Sequence, residues 1–219
     1  MITYKDIKNS KEITTYIEKA DEALAALGYT KHSFAHVEKV ANLAKEFLLK
    51  LGYDERTAEL AAIAAHMHDI GNVVNRIDHA QTSAMMSFRI LDKMGMDVEE
   101  TATIISAIGN HDEATAMPVN AVAAALILAD KTDVHRTRVR NKDISTFDIH
   151  DRVNYSVEES TVTLFEDKKE IVLNLKIDTK FGAVMDYFEI FLDRMILCRR
   201  AAEYLDLKFK LIINGVELL

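Results

Sequence analysis

Residues that break regular structure are scarce in this chain: 219 residues include one proline, Pro118, and seven glycines, while 49% of positions are hydrophobic. Sharp reversals need residues that tolerate them, so the chain is left with long uninterrupted runs. Apolar residues recurring three or four apart make those runs helices. The spacing predicts amphipathic helices over about 10–27, 33–50, 54–69, 79–94 and 97–109, punctuated by Gly28, Gly71 and Gly95. On the first, Ile13, Ile17, Ala20 and Leu24 share a stripe; on the second, Phe34, Val37, Ala41, Ala44 and Leu48 do. Pro118 suits the first turn of a further helix running to about 134 through VNAVAAALILAD.

The character changes after about residue 155. STVTLF and EIVLNLKID are rich in β-branched residues and alternate, and the charged turn Glu166-Asp167-Lys168-Lys169 between them makes a hairpin. A long helix over about 183–205 and a strand at KFKLII follow. The expected class is therefore mainly α: a helical bundle over 1–150, with a small C-terminal α+β subdomain of antiparallel strands and one long helix over 151–219.

Composition narrows the function. A formal net charge of −8 argues against a general nucleic-acid-polymer binder, which carries a basic surface. A nucleotide-sized anion remains compatible, because a metal and a few local cations neutralise one phosphate group. Cys198 is the only cysteine, so no intramolecular disulfide forms, and a reducing compartment is the simplest home. The N-terminal stretch has no apolar core of a signal sequence, and no run approaches 18 apolar residues, so a soluble cytoplasmic protein without a membrane partner is expected. Self-association is left open.

The run AELAAIAAHMHDIGN, from Ala58 to Asn72, carries the chemistry. Its alanine-rich helix ends on His68-Asp69, an imidazole and a carboxylate leaving one turn, where both can reach a single divalent ion. His66 faces about 200° away from His68 on a regular helix and is read as structural. Further donors lie at the edges of other apolar runs: His36 in TKHSFAHVEKVANLAKEFL, His79 in DHAQTSAMMSFRIL, His111 in AIGNHDE and Asp130 in AALILADKTD. A carboxylate following ALILA is costly to bury without a cation.

In this order and context, the pattern of His36, His68-Asp69 and Asp130 resembles the HD superfamily of metal-dependent phosphohydrolases, over about residues 28–140. His79 and His111 look like the additional ligands of its binuclear members. The resemblance implies that Asp69 bridges two ions, with His36, His68 and Asp130 completing one site and His79 and His111 the other. If only His36, His68, Asp69 and Asp130 bind, the site is mononuclear. Imidazoles and carboxylates without thiolate suit Mn, Fe, Ni, Zn or Mg. The implied activity is hydrolysis of a nucleotide or other small phosphorylated metabolite by a metal-activated water, with His68, Asp69 and Asp130 catalytic. Two alternatives stand beside it: a di-iron oxygenase with the same ligands, and a non-catalytic sensor of a metal or phospho-ligand.

Candidate substrate contacts are His32, Asn72, Asp133, Arg136, Thr137 and Arg140. His32 stands four residues before His36. Asp133 and Thr137 lie about one and two turns beyond Asp130 and, on a continuous helix, face the same side, with Arg140 nearest to it. The basic stretch His135–Arg140 reads equally as a phosphate clamp or as a solvated helix end. Many members of the superfamily carry a lysine three residues after the motif aspartate; here Asn72 stands there. The glycine-tyrosine-proline signature of the cyclic-dinucleotide phosphodiesterases is also missing after His111, so that branch matches less well. Asp112 and Glu113 are either orienting partners of His111 or an acidic loop. His135 and His150 are read as satisfied or exposed histidines, the methionines as core filler, and Tyr187, Phe188 and Phe191 as the buried stripe of the long helix.

Overall fold

A computed structural model describes residues 1–113 and 115–219. The helices begin where side chains cap them. The Thr3 side chain and Asp6 make a reciprocal capping box on α1 (Tyr4–Lys8). Ser10 caps α2 (Lys11–Ala26). Asp54 accepts from two backbone N–H groups of α4 (Glu55–Met67), which follows α3 (Phe34–Lys50). Next come α5 (His79–Met94), closed by Gly95 in the left-handed conformation at φ 79°, and α6 (Val98–Gly109), capped by Asp97. Asn120 caps α7 (Ala121–Lys131), and Asp148 caps α8 (Ile149–Ser156).

The bundle is built round α4 and α7, whose residues Ala58–Met67 (save Glu59) and Val122–Lys131 are buried, so each helix is enclosed on every side. Helices α3 and α6 each pack on both. The alanines of α4 hold the helices close together, and a well-packed interior of this kind fixes the side chains at its edge.

The C-terminal part forms a four-stranded sheet in the order β1 (Val157–Phe165), β2 (Glu170–Ile177), β3 (Lys208–Ile213), β4 (Val216–Glu217). β1 and β2 are the expected antiparallel hairpin, with Lys169 in the left-handed region at the turn. β2 and β3 run parallel, because α9 (Val184–Tyr204) carries the chain back between them, and β3 pairs antiparallel with β4. Helix α9 packs against both α7 and β3, and one hydrophobic cluster runs from Ile7 to Ile213.

The structure departs from the expected helices in four places. Two short helices, α1 and α8, went unforeseen because neither is long enough to show a period. The sixth predicted helix starts later than expected: Pro118 lies outside it, ahead of the Asn120 cap. It also ends at Lys131, where the Thr132 hydroxyl donates back to the Leu128 carbonyl at 2.7 Å. The chain beyond is irregular up to α8, apart from 3-10 turns at Arg136–Arg138 and Ile144–Thr146. Residues 133–140 therefore do not continue the face of Asp130.

Candidate metal centre

Helix termini deliver the donors. His68 caps the end of α4, and Asp69 follows at φ −107° and ψ 1°, in the sparsely populated bridge region between helix and strand. His36 lies in the first turn of α3, His79 opens α5, His111 stands just beyond α6, and Asp130 is in the last turn of α7. Asp78, immediately before His79, is held at φ 57°, which turns the chain sharply into α5. Gly71 makes that approach feasible: a Cβ there would meet the backbone carbonyl of His79 and would lie 2.5 Å from the Ser83 nitrogen.

Asp69 divides the cluster into two halves. Its Oδ2 faces His68 Nε2 at 3.1 Å, His36 Nε2 at 3.9 Å and His32 Nε2 at 3.9 Å. Its Oδ1 faces His79 Nε2 at 3.4 Å and His111 Nε2 at 3.9 Å. Asp130 Oδ1 closes the first half, 3.3 Å from His36 Nε2 and 3.7 Å from His68 Nε2. Among the described residues, two donor groups are compact enough to hold an ion: His36, His68 and Asp130, and His68, Asp69 and His111.

The same arrangement sets all five rings. Each Nδ1 lies against an oxygen: Ala65 O for His68 at 2.7 Å, Ile108 O for His111 at 2.6 Å, Arg76 O for His79 at 3.1 Å, Thr30 O for His32 at 2.8 Å, and Asp133 Oδ2 for His36 at 2.7 Å. A neutral ring donating from Nδ1 keeps its lone pair on Nε2, and every Nε2 points at Asp69 or Asp130. The Nε2 atoms of His36 and His68 are buried and make no hydrogen bond among the described residues. Orphaned buried nitrogens converging on two carboxylates are what a divalent cation satisfies, so the donor set fits one.

Electrostatics agree with this requirement for positive charge. Burial works against a charged His68, yet Asp69 and Asp130 raise it to about 10. Burial also opposes ionised Asp69 and Asp130, but their neighbours outweigh it and hold both well below the usual carboxylate range; His68 leads for Asp69 and Lys131 for Asp130. Burial keeps His32, His79 and His111 lowered and neutral, the state in which an imidazole can ligate.

Residues 33–135 match the family model of the HD domain. An HD domain thus occupies residues 33–135 of this chain. HD domains bind divalent metals and are the fold of a family of metal-dependent phosphohydrolases. The HD protein is also similar to an uncharacterized protein of Methanocaldococcus jannaschii, 26% identical over 197 residues that cover 78% of this chain and 76% of the relative. No solved structure matches it.

The six ligand candidates His36, His68, Asp69, His79, His111 and Asp130 come together in this HD protein, with His32 at their edge. The other substrate candidates are placed differently. Buried Asn72 donates to the backbone and side-chain oxygens of Asp69 at 2.9 and 3.0 Å, so it positions that carboxylate. Asp133 is engaged with His36, with Lys39 at 2.6 Å and with Arg138 at 3.5 Å. Arg136 donates to the Tyr155 carbonyl at 3.1 Å, Thr137 pairs with His135, and Arg140 is bound to Asp21 and the Tyr29 carbonyl. None of Asn72, Asp133, Arg136, Thr137 and Arg140 lines the cavity over the cluster; for the residues after Asp130 this corrects the continuous-helix expectation, because α7 stops at Lys131. Glu113 orients Lys131 and Arg194 rather than His111.

That cavity, about 560 Å³, is lined by Arg138 of the basic stretch and by residues sequence reasoning passed over, among them Arg76, Lys131 and Arg194. Buried Lys131 lies 2.7 Å from Asp130 Oδ2 and 3.3 Å from Glu113. A lysine directly after Asp130 in an otherwise apolar helix was the available signal. Helix α9 contributes Phe191, with the Arg194 guanidinium 4.5 Å from its ring centre.

Proposed function

We propose that this protein is a metal-dependent phosphohydrolase acting on a nucleotide or other small phosphorylated metabolite, with a binuclear centre held by His36, His68, Asp69, His79, His111 and Asp130. The observation that carries the reading is the division at Asp69, whose two carboxylate oxygens each face their own set of imidazole Nε2 atoms. Divalent ions there supply Lewis acidity and a nucleophilic water at neutral pH.

The rest is work for the chain's own residues. Asn72 fixes the Asp69 carboxylate, and Lys131 offsets the charge of Asp130. The cavity is of metabolite size, with Ile190 and Phe191 giving it an apolar side and cationic groups lying near the cluster. Residues 1–150 form the ligand-bearing unit in this reading, and 151–219 a small unit that walls the cavity. A single buried cysteine and the lack of any membrane-crossing helix among the described residues agree with a cytoplasmic setting.

Elemental analysis of wild type and Asp69→Ala, followed by phosphate release from a panel of nucleotides and sugar phosphates, tests the proposal. About two divalent ions per chain, lost together in the variant, with turnover by the loaded wild type, is the expected result. Saturable binding without turnover would replace the hydrolase with a sensor, and turnover dependent on iron and dioxygen would replace it with an oxygenase.

A further inference from the structure

Four non-histidine cations line the cavity, and three of them are held by carboxylates: Lys131 by Asp130 and Glu113, Arg138 by Asp133, and Arg194 by Glu113. The fourth, Arg76, has no carboxylate within 4.0 Å among the described residues, although the chain has eight more acidic than basic side chains. It lies between the turn at Ile70–Val73 and α5, half-buried, with its guanidinium 5.7 Å from the centre of the Tyr29 ring.

Its few contacts hold it in place without neutralising it. Nη1 donates to Asn72 Oδ1 at 3.3 Å and lies 3.2 Å from His79 Nε2, a contact that a metal on that nitrogen would replace, while Nε and Nη2 make no hydrogen bond among the described residues. A guanidinium has five N–H donors in a planar fork, so Nε and Nη2 leave three N–H groups free beside the metal-ligand cluster. Asn72 binds Asp69 with its amide nitrogen and Arg76 with its oxygen, which ties the free cation to the carboxylate that divides the centre. Other half-buried arginines are matched, as Arg140 is by Asp21 and Arg56 by Glu59 and Glu100.

We infer that Arg76 is a substrate-binding residue whose free guanidinium edge takes the non-reacting oxygens of the phosphoryl group. This assignment rests on the phosphohydrolase reading and deepens it: the ligand at this edge is a tetrahedral oxyanion, for which a two-pronged donor is the matching shape.

Inorganic phosphate titrated calorimetrically into the metal-loaded full chain tests the assignment without turnover. Wild type, Arg76→Gln and Arg76→Lys are compared, and metal content is measured on the same samples. Phosphate should bind about 10- to 100-fold more weakly to Arg76→Gln, with Arg76→Lys in between and the metal content unchanged. Equal phosphate affinity in wild type and Arg76→Gln overturns the assignment and leaves the hydrolase standing. No phosphate binding by wild type overturns both. Loss of metal in Arg76→Gln also overturns it, because Arg76 would then be a positioning residue for His79. Should the glutamine variant not fold, Arg76→Lys decides alone: severalfold weakening supports the fork, and wild-type affinity removes it.

Discussion

His36 and Asp133 stand 97 positions apart, and their side chains meet at 2.7 Å, the carboxylate Oδ2 against the ring Nδ1. That contact fixes which nitrogen of His36 faces Asp130. Asp133 is in turn held by Lys39 and Arg138, so the ring is oriented through a charged network spanning α3 and the segment after α7.

Replacing Asp133 with alanine is expected to weaken metal binding about 10- to 100-fold, because the ring loses its orienting acceptor and two cations lose theirs. Asn at the same position keeps an acceptor oxygen and should recover part of the loss. Competition titration against a chelating indicator measures both; unchanged affinity in Asp133→Ala would detach Asp133 from the centre.

Gly71→Ala should destabilise the fold by about 3 kcal/mol, the scale of an overpacked interior site. The added methyl collides with the start of α5, where the carbonyl of His79 and the nitrogen of Ser83 offer no flexible side chain to move aside. His79 is then pushed from Asp69, so metal content should fall toward one ion per chain. Urea unfolding and elemental analysis of the same preparation check the two effects separately.

Cys198 is fully buried in α9, and burial pushes its thiol up to about 12. The native state therefore holds its proton where the unfolded chain, near 9.0, gives it up. Its contribution to stability is complete below about pH 9 and is lost as pH rises toward 12. Wild type should lose stability more steeply than Cys198→Ala across that interval in denaturant titrations. At pH 8 a disulfide-exchange reagent should label Cys198 only after urea is added; immediate labelling without denaturant would contradict the burial.

The parts of the structure legible in the sequence were those set by period and by donors at helix edges. Helices α2 to α6 show their apolar stripes directly, and His68-Asp69 announces itself because two hard-to-bury groups end an alanine-rich run. The end of α7 was illegible for a physical reason: its stop is a threonine hydroxyl turned back on the helix, and threonine carries no general stop signal. With the helix taken too far, Thr137 and Arg140 were assigned to a face that does not exist, whereas Asp133 reaches the cluster through His36. Arg76 could not be recognised from sequence, since what distinguishes it is a missing partner, and partners are set by the tertiary fold. The parallel pairing of β2 with β3 was hidden likewise, because strand direction depends on where α9 returns the chain.

All six ligand candidates arise between residues 36 and 130, whereas Phe191 and Arg194 reach the same cavity from a helix more than fifty positions downstream. Chemistry and fit are thus written in separate stretches of the gene product. Exchanges along the inner side of α9 could recut the chamber for a differently shaped guest while every metal-binding side chain stays as it is.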